Sequence, residues 1–490
     1  MLFNSMQFVI FFPIVIFVYY ILPEKVRKTW LLIASYFFYM CWDAKYVLLL
    51  FAVTFTTWAG ARAIEKISSN LLKRRILFVL TLLFNVGILL YFKYFSFLAE
   101  SVNSMVTQMG LKMNSISYEI ILPVGISFFV FQSIGYLIDV YKGDVIAEKN
   151  LGYYALFVSF FPQLVAGPIE RSKNLLKQIK KPFVFDYESA RYGLLLMLWG
   201  YFEKLLIADQ AAKIVDNVYG NFQGYAGSSV IFATLLFSIQ IYCDFAGYSH
   251  IAIGAAKVMN IHLMENFRQP YLAQSIQDFW RRWHISLSSW LRDYVYIPLG
   301  GNRKGQIKKC FNLFITFVIS GIWHGANWTF LIWGVLHGLY LIIGEITKEK
   351  RIQWAQKNYT VANSISFKII RMLITFGMVS FAWIFFRAES ISQAFQIIYH
   401  SIRRFKLSAH LCMIYELGLD ERRFRNLTIA IIILFIVDFI HEKNIKVSNY
   451  IFKQDKFFRW FFYLTVTFLL IVNVIENYGL SAANFIYFQF

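Results

Sequence analysis

The chain has 490 residues, 58% of them hydrophobic and 19% aromatic, with 16% charged and a formal net charge of +20. So many long apolar runs with so few charges exclude a soluble globular protein and a disordered one, and they predict a polytopic membrane protein. The positive charge is not a nucleic-acid signal. The basic residues fall in short clusters between apolar runs, such as Lys73/Arg74/Arg75 and Arg422/Arg423/Arg425, as cytoplasmic loops do under the positive-inside rule.

From about residue 6 to about residue 475 the apolar runs predict about eleven spans plus re-entrant or interfacial pieces. We read one integral-membrane domain over 1–490, with its informative motifs in 122–345 and a tail at 476–490. The first run, 6–22, is followed rather than preceded by basic residues at 25–28, so it reads as a span with its N-terminus outside the cytoplasm. Cys41, Cys243, Cys310 and Cys412 are scattered and show no metal or redox spacing.

Four stretches interrupt this apolar frame. FPQLVAGPIER, 161–171, places two prolines and a glycine where a regular helix cannot continue. It is either an interfacial helix stop or broken backbone lining protein or water. DFAGYSH, 244–250, puts Asp244 and His250 in an apolar segment, where a carboxylate requires a partner. That pairing fits a structural role or a catalytic one.

The third stretch is DFWRRWHISLSSWLRDYVYI, 278–297. At about 100° per residue, Arg281, His284, Ser288 and Arg292 fall on one stripe, with Phe279, Trp283, Leu287, Trp290 and Tyr294 opposite. An interfacial or re-entrant helix is expected, its polar side touching headgroups or bordering a pocket for a phosphate-bearing ligand.

The fourth is GIWHGANW, 321–328, centred on His324 in an otherwise apolar stretch. An ionisable residue at membrane depth is a functional-site hypothesis by default, and a structural histidine bonded between helices fits the same residues. Gly321 and Gly325, four apart, are expected on one helical face where another backbone approaches. His337 would lie roughly 20 Å further along a continuous helix, so no histidine pair for a metal is expected, and no permanently bound cofactor. The chain closes on NFIYFQF, 484–490, read either as a packed tail or as one presenting the Tyr487 hydroxyl to a cavity.

Together these residues match a family. DFWRRWHISLSSWLRDYVYIPLGGNRKG (278–305) and GIWHGANWTFLIWGVLHG (321–338) resemble the membrane-bound O-acyltransferase family, in its bacterial alginate O-acetylation branch. Supporting stretches are MLFNSMQFVIFF (1–12), LPVGISFFVFQSIGYLIDVYKG (122–143), FPQLVAGPIER, ENFRQPYLA (265–273), FAWIFFRAES (381–390) and FIYFQF (485–490).

The resemblance implies an all-α, funnel-shaped multi-helix bundle with a channel across the membrane. It implies His324 as the catalytic histidine, His284 as the second active-site position and Tyr487 as an acyl carrier. Arg281, Arg292, Ser288 and Asp244 become donor-site candidates, the arginines facing the donor's phosphates. His250 stands where the family leads one to expect aspartate. The acyl group would come from acetyl-CoA on the cytoplasmic side of a bacterial plasma membrane. It would pass to an extracytoplasmic partner of SGNH-hydrolase type that acetylates a polysaccharide.

Histidine suits this chemistry, since a base near neutral pKa must take a hydroxyl proton. His284 would position or polarise the thioester carbonyl. A D-alanyl transferase acting on teichoic acids is the alternative within the family. A polytopic solute transporter is the alternative outside it, although no inverted repeat is visible.

Overall fold

A computed structural model describes residues 1–67, 70–110, 120–406 and 414–476, and no β-strand occurs among them. Seven helices among the described residues are long and apolar enough to cross a membrane: Tyr46–Lys66, Leu71–Thr107, Gly227–Val258, Trp328–Ile346, Ile365–Arg387, Glu421–Glu442 and Lys456–Glu476. The other apolar runs form helices that are shorter or more polar, such as Met6–Ile21, Ile126–Lys142 and Gly305–His324. The long helices keep rows of large apolar side chains exposed, among them Leu80, Leu83 and Phe84, and Ile370, Leu373 and Ile374. Hydrocarbon is the medium that makes such faces stable in a chain whose backbone bonds are satisfied within helices. The described residues make a multi-pass membrane protein.

The chain divides into two compact units, one of residues 1–194 with 251–264 and one of 195–250 with 265–490. In the first, Tyr46–Lys66 packs on Leu71–Leu89 and on Ile126–Lys142. The first of these helices buries Val53, Thr54, Thr57, Gly60, Ala61 and Ile64, a stripe of mostly small residues at helical spacing. Gly60 is needed there, because a Cβ would lie 2.7 Å from the Thr81 side chain. The Thr57 hydroxyl bonds the Tyr154 hydroxyl at 2.8 Å, which supplies a buried polar atom with its partner.

Stretch 161–171 resolves in favour of broken backbone lined by protein. Phe161–Leu164 makes a single turn, the chain then runs non-helically to Arg171, and residues 154–170 are all buried. Gly125, at φ +75°, lies so close that a Cβ would meet the Leu164 carbonyl oxygen at 2.6 Å. Glu170 accepts from Asn174 Nδ2 at 2.8 Å and from the Met264 amide at 2.5 Å.

The second unit is built on a helical hairpin, Gly305–His324 against Trp328–Ile346, with Ile365–Arg387 packed on the latter. Gly321 and Gly334 let the two backbones meet. A Cβ on Gly321 would lie 2.4 Å from the Phe330 carbonyl oxygen, and one on Gly334 would lie 2.4 Å from the Phe317 carbonyl oxygen. Gly325 differs from expectation. It lies beyond the helix end in extended backbone, and a Cβ there would strike the Phe330 ring at 2.1 Å.

Gly321→Ala is therefore expected to destabilise the protein by about 1–3 kcal/mol, the range for overpacking a close contact. Gly377→Ala, at a helical glycine with nothing within 4 Å of its Cβ position, is expected to cause no loss. Thermal unfolding in detergent checks both, and equal midpoints for the two variants would show that the hairpin contact is slack.

Candidate active site

His324 is the last residue of the Gly305–His324 helix, and the next helix begins at Trp328 with Asn327 Oδ1 accepting from the Thr329 amide at 3.0 Å. The break between them turns the chain back on itself and leaves His324 almost fully buried. Its ring stands edge-on to Trp323, Trp333 and Phe386, at centroid distances of 5.0, 4.8 and 5.3 Å. Such edge-to-face packing is the favoured geometry between rings. Three helices thus supply an aromatic enclosure for one imidazole.

His284 does not lie on a continuous helix. The chain forms Ile276–Arg282, breaks at Trp283 and His284, and resumes as Ile285–Leu291. His284 takes the left-handed region at φ +43° and is completely buried, a conformation uncommon for any residue but glycine. The stripe expected from helical periodicity is consequently dispersed. Arg281 and Arg292 are exposed, Arg292 pairs with Asp293 at 2.9 Å, and Ser288 Oγ donates to the Trp283 carbonyl at 3.3 Å. Ser288 stays within one turn of His284, its amide donating to the His284 carbonyl at 2.9 Å.

The structure brings the two histidines to one side chain. The Trp323 indole lies 5.8 Å from the His284 ring and 5.0 Å from the His324 ring. Phe245 stands perpendicular to His284 at 4.6 Å. His337 is also drawn in, because the break after His324 replaces the continuous helix assumed from sequence. The rings of His324 and His337 both contact Trp333, at 4.8 and 4.9 Å, where a straight helix would hold them roughly 20 Å apart. Trp280 Nε1 donates to His337 Nδ1 at 3.2 Å.

Asp244 is buried and pairs with Lys204 at 2.6 Å, and Lys204 also reaches Asp209 at 2.8 Å. The partner is thus a lysine, from the π-helical turn Phe202–Ala208. Its neighbour Glu203 bonds His250 Nδ1 at 2.6 Å. Two further groups lie in the quoted motifs but were not singled out as site residues from the sequence. Asn266 bonds His284 Nδ1 through Oδ1 at 3.1 Å. Arg282, beside the selected Arg281, bridges Asp278 at 2.9 Å and Glu442 at 2.5 Å. Burial pulls the Arg282 pKa down, and hydrogen bonds to Glu442 and Asp278 more than reverse this, so the guanidinium stays charged. Among the described residues no group of three His, Cys, Asp or Glu side chains converges as a metal site. Tyr487 lies outside the described residues.

Buried imidazoles walled by aromatic rings in a multi-pass helical protein mark a candidate site of a membrane protein, since an ionisable residue at membrane depth is a functional-site hypothesis by default. Comparison with known proteins narrows this. Residues 147–388 match the MBOAT, membrane-bound O-acyltransferase family, a stretch that includes both His284 and His324. The chain is 41% identical to the probable alginate O-acetylase of Pseudomonas syringae pv. tomato over 397 residues, covering 80% of this chain and 74% of that one. It is 36% identical to the peptidoglycan O-acetyltransferase of Helicobacter pylori, covering 81% and 79%. It is 27% identical to the teichoic acid D-alanyltransferase of Bacillus subtilis, covering 56% and 70%. The chain belongs to the membrane-bound O-acyltransferase family and is an O-acyltransferase.

Lys204→Met would leave the buried Asp244 and the half-buried Asp209 without their cation, and breaking a buried pair in this way costs about 3–5 kcal/mol. The variant is expected to unfold at a clearly lower temperature in detergent or to fail to accumulate in the membrane. A wild-type midpoint would show that the two carboxylates do not depend on Lys204.

Proposed function

We propose that this chain takes an acetyl group from acetyl-CoA on the cytoplasmic side of a bacterial plasma membrane. It passes the group outward for O-acetylation of a cell-surface polysaccharide, either alginate-like or a wall polymer. An extracytoplasmic partner of SGNH-hydrolase type completes the transfer to the polymer.

The observation that carries this reading is the enclosure of His284 and His324 against the Trp323 indole. An acyl thioester needs a base for the attacking hydroxyl and walls that keep water from hydrolysing it. Similarity of 41% and 36% to two proteins named for O-acetyl transfer supports acetyl as the acyl group. The teichoic acid D-alanyltransferase is the more distant, at 27% over a smaller share of this chain.

In this reading His324 takes the proton of the acceptor hydroxyl, that of Tyr487. The oxygen attacks the thioester carbonyl carbon, the C–S bond breaks, and the departing coenzyme A thiolate receives the proton from His324. The role of Tyr487 rests on the resemblance of its FIYFQF segment. Arg281 and Arg292, exposed on the 278–297 segment, contact the donor's phosphates.

The test uses membranes holding wild-type, His324→Ala or Tyr487→Phe protein, supplied with acetyl-CoA labelled in its acetyl group. Base-labile label on the wild-type protein is expected. It should fall by at least about 100-fold in His324→Ala, within the usual contribution of a positioned base, and vanish in Tyr487→Phe. Label retained in His324→Ala overturns its role as base, and label retained in Tyr487→Phe moves the acyl carrier elsewhere. Release of D-alanine instead of acetate from the cell envelope under mild base would overturn acetyl as the group transferred.

A further inference from the structure

Asn266 is fully buried in the second unit and makes more contacts with the His284 segment than packing alone requires. Its backbone carbonyl accepts from the Ile285 amide at 3.0 Å, just after the break that carries His284. Two residues on, the Arg268 amide donates to the Arg282 carbonyl at 2.9 Å. The 266–268 segment is thereby laced to both sides of the left-handed turn.

The side chain then closes the arrangement. Oδ1 accepts from the Ser286 amide at 3.3 Å and from Ser286 Oγ at 2.9 Å, and it lies 3.1 Å from His284 Nδ1. Nδ2 donates to Ser249 Oγ at 3.1 Å.

These bonds decide a proton position. A backbone N–H can only donate, so the atom facing the Ser286 amide must be the oxygen of the Asn266 carboxamide. An amide oxygen can only accept, and the Ser286 hydroxyl, 3.5 Å from the same ring nitrogen, gives its one proton to Asn266 Oδ1 at 2.9 Å, so the hydrogen between Asn266 Oδ1 and His284 Nδ1 belongs to Nδ1. In a neutral imidazole only one nitrogen is protonated, which leaves Nε2 with its lone pair. We infer that Asn266 is a positioning residue that holds His284 as the Nδ1–H tautomer, so that His284 serves the reaction as a hydrogen-bond acceptor through Nε2. A neutral ring in that form has no Nε2–H with which to polarise a thioester carbonyl, so of the two roles expected for His284, positioning and polarising, the second falls away. The inference rests on the reading of His284 as an active-site group, although the tautomer itself does not.

The decisive measurement is nitrogen NMR of the full-length protein with 15N-labelled histidine, in lipid, where protonated and bare ring nitrogens resonate far apart. The His284 signals are assigned by their loss in His284→Ala. A protonated Nδ1 and a bare Nε2 are expected in the wild type. Both should persist in Asn266→Asp, which keeps an acceptor oxygen, and change in Asn266→Leu, which has none. A His284 ring protonated at Nε2 in the wild type overturns the inference without any appeal to activity.

The acyl-transfer rate separates this from the reading beneath it. Asn266→Leu is expected to slow transfer by at least about 100-fold, as loss of a tautomer-setting partner does elsewhere, and Asn266→Asp to recover most of it. Wild-type rates in Asn266→Leu with His284→Ala inactive would overturn the positioning role and leave His284 in the active site. Wild-type rates in His284→Ala would remove His284 from the chemistry itself. If Asn266→Leu does not reach the membrane, the wild-type and Asn266→Asp spectra still decide the tautomer.

Discussion

An imidazole enclosed in an apolar membrane protein must find its hydrogen bonds among protein groups, because hydrocarbon offers none. The second unit answers this demand with a different kind of partner for different rings. His284 faces the amide oxygen of Asn266, His337 the indole N–H of Trp280, and His250 the carboxylate of Glu203. The partner sets the character of the ring. An amide oxygen requires a hydrogen on the nitrogen it faces, whereas an indole N–H requires a lone pair there, so neutral His284 and His337 carry their single protons on opposite nitrogens. Residues of one type, brought close by Trp323 and Trp333, are thus chemically distinct before any substrate arrives.

What permits this is the approach of two backbones. Gly321 and Gly334 bring the hairpin helices together, and Gly325 lets the chain pass the Phe330 ring on leaving His324. Because the two helices are joined by three non-helical residues, Trp333 after the break returns to the histidine before it. Trp333 therefore packs on His324 as well as on His337. Larger residues at these glycines would separate the walls of the enclosure. The aromatic residues shield the site, and the glycines bring them close enough to do so.

Much of this was legible in the sequence. Apolar runs between basic clusters announced a multi-pass helical protein, and the tryptophans and glycines around His324 marked a histidine packed in protein. What escaped was local geometry. A helical wheel assumes unbroken periodicity, and the 278–297 segment breaks at the residue of interest, with His284 in the left-handed region that few non-glycine residues take. The polar stripe it generated is interrupted at Trp283 and His284, and helix resumes only from Ile285. The same assumption placed His337 too far from His324. Asn266 could not be recognised, because its importance lies in contacts with residues about twenty positions away and in no spacing of its own. Asp244 was correctly expected to require a partner, but the lysine that serves it lies on a different element.

The Lys204 cluster shows why His250 is tolerable where the family resemblance leads one to expect aspartate. Glu203 and Lys204 are consecutive in a π-helical turn, a form in which the register of the helix shifts locally. Each turns to a different group on the Gly227–Val258 helix: Lys204 to Asp244, and Glu203 to His250. Gly247 lies between these two positions, and a Cβ on it would sit 2.7 Å from the Gly200 carbonyl oxygen, so the elements are pressed together there. An aspartate at 250 would set a second buried carboxylate against Glu203, an arrangement in which both cannot ionise together. Histidine at 250 and glutamate at 203 are therefore to be read as a pair. Each makes the burial of the other affordable, and neither is interpretable from its own position in the chain.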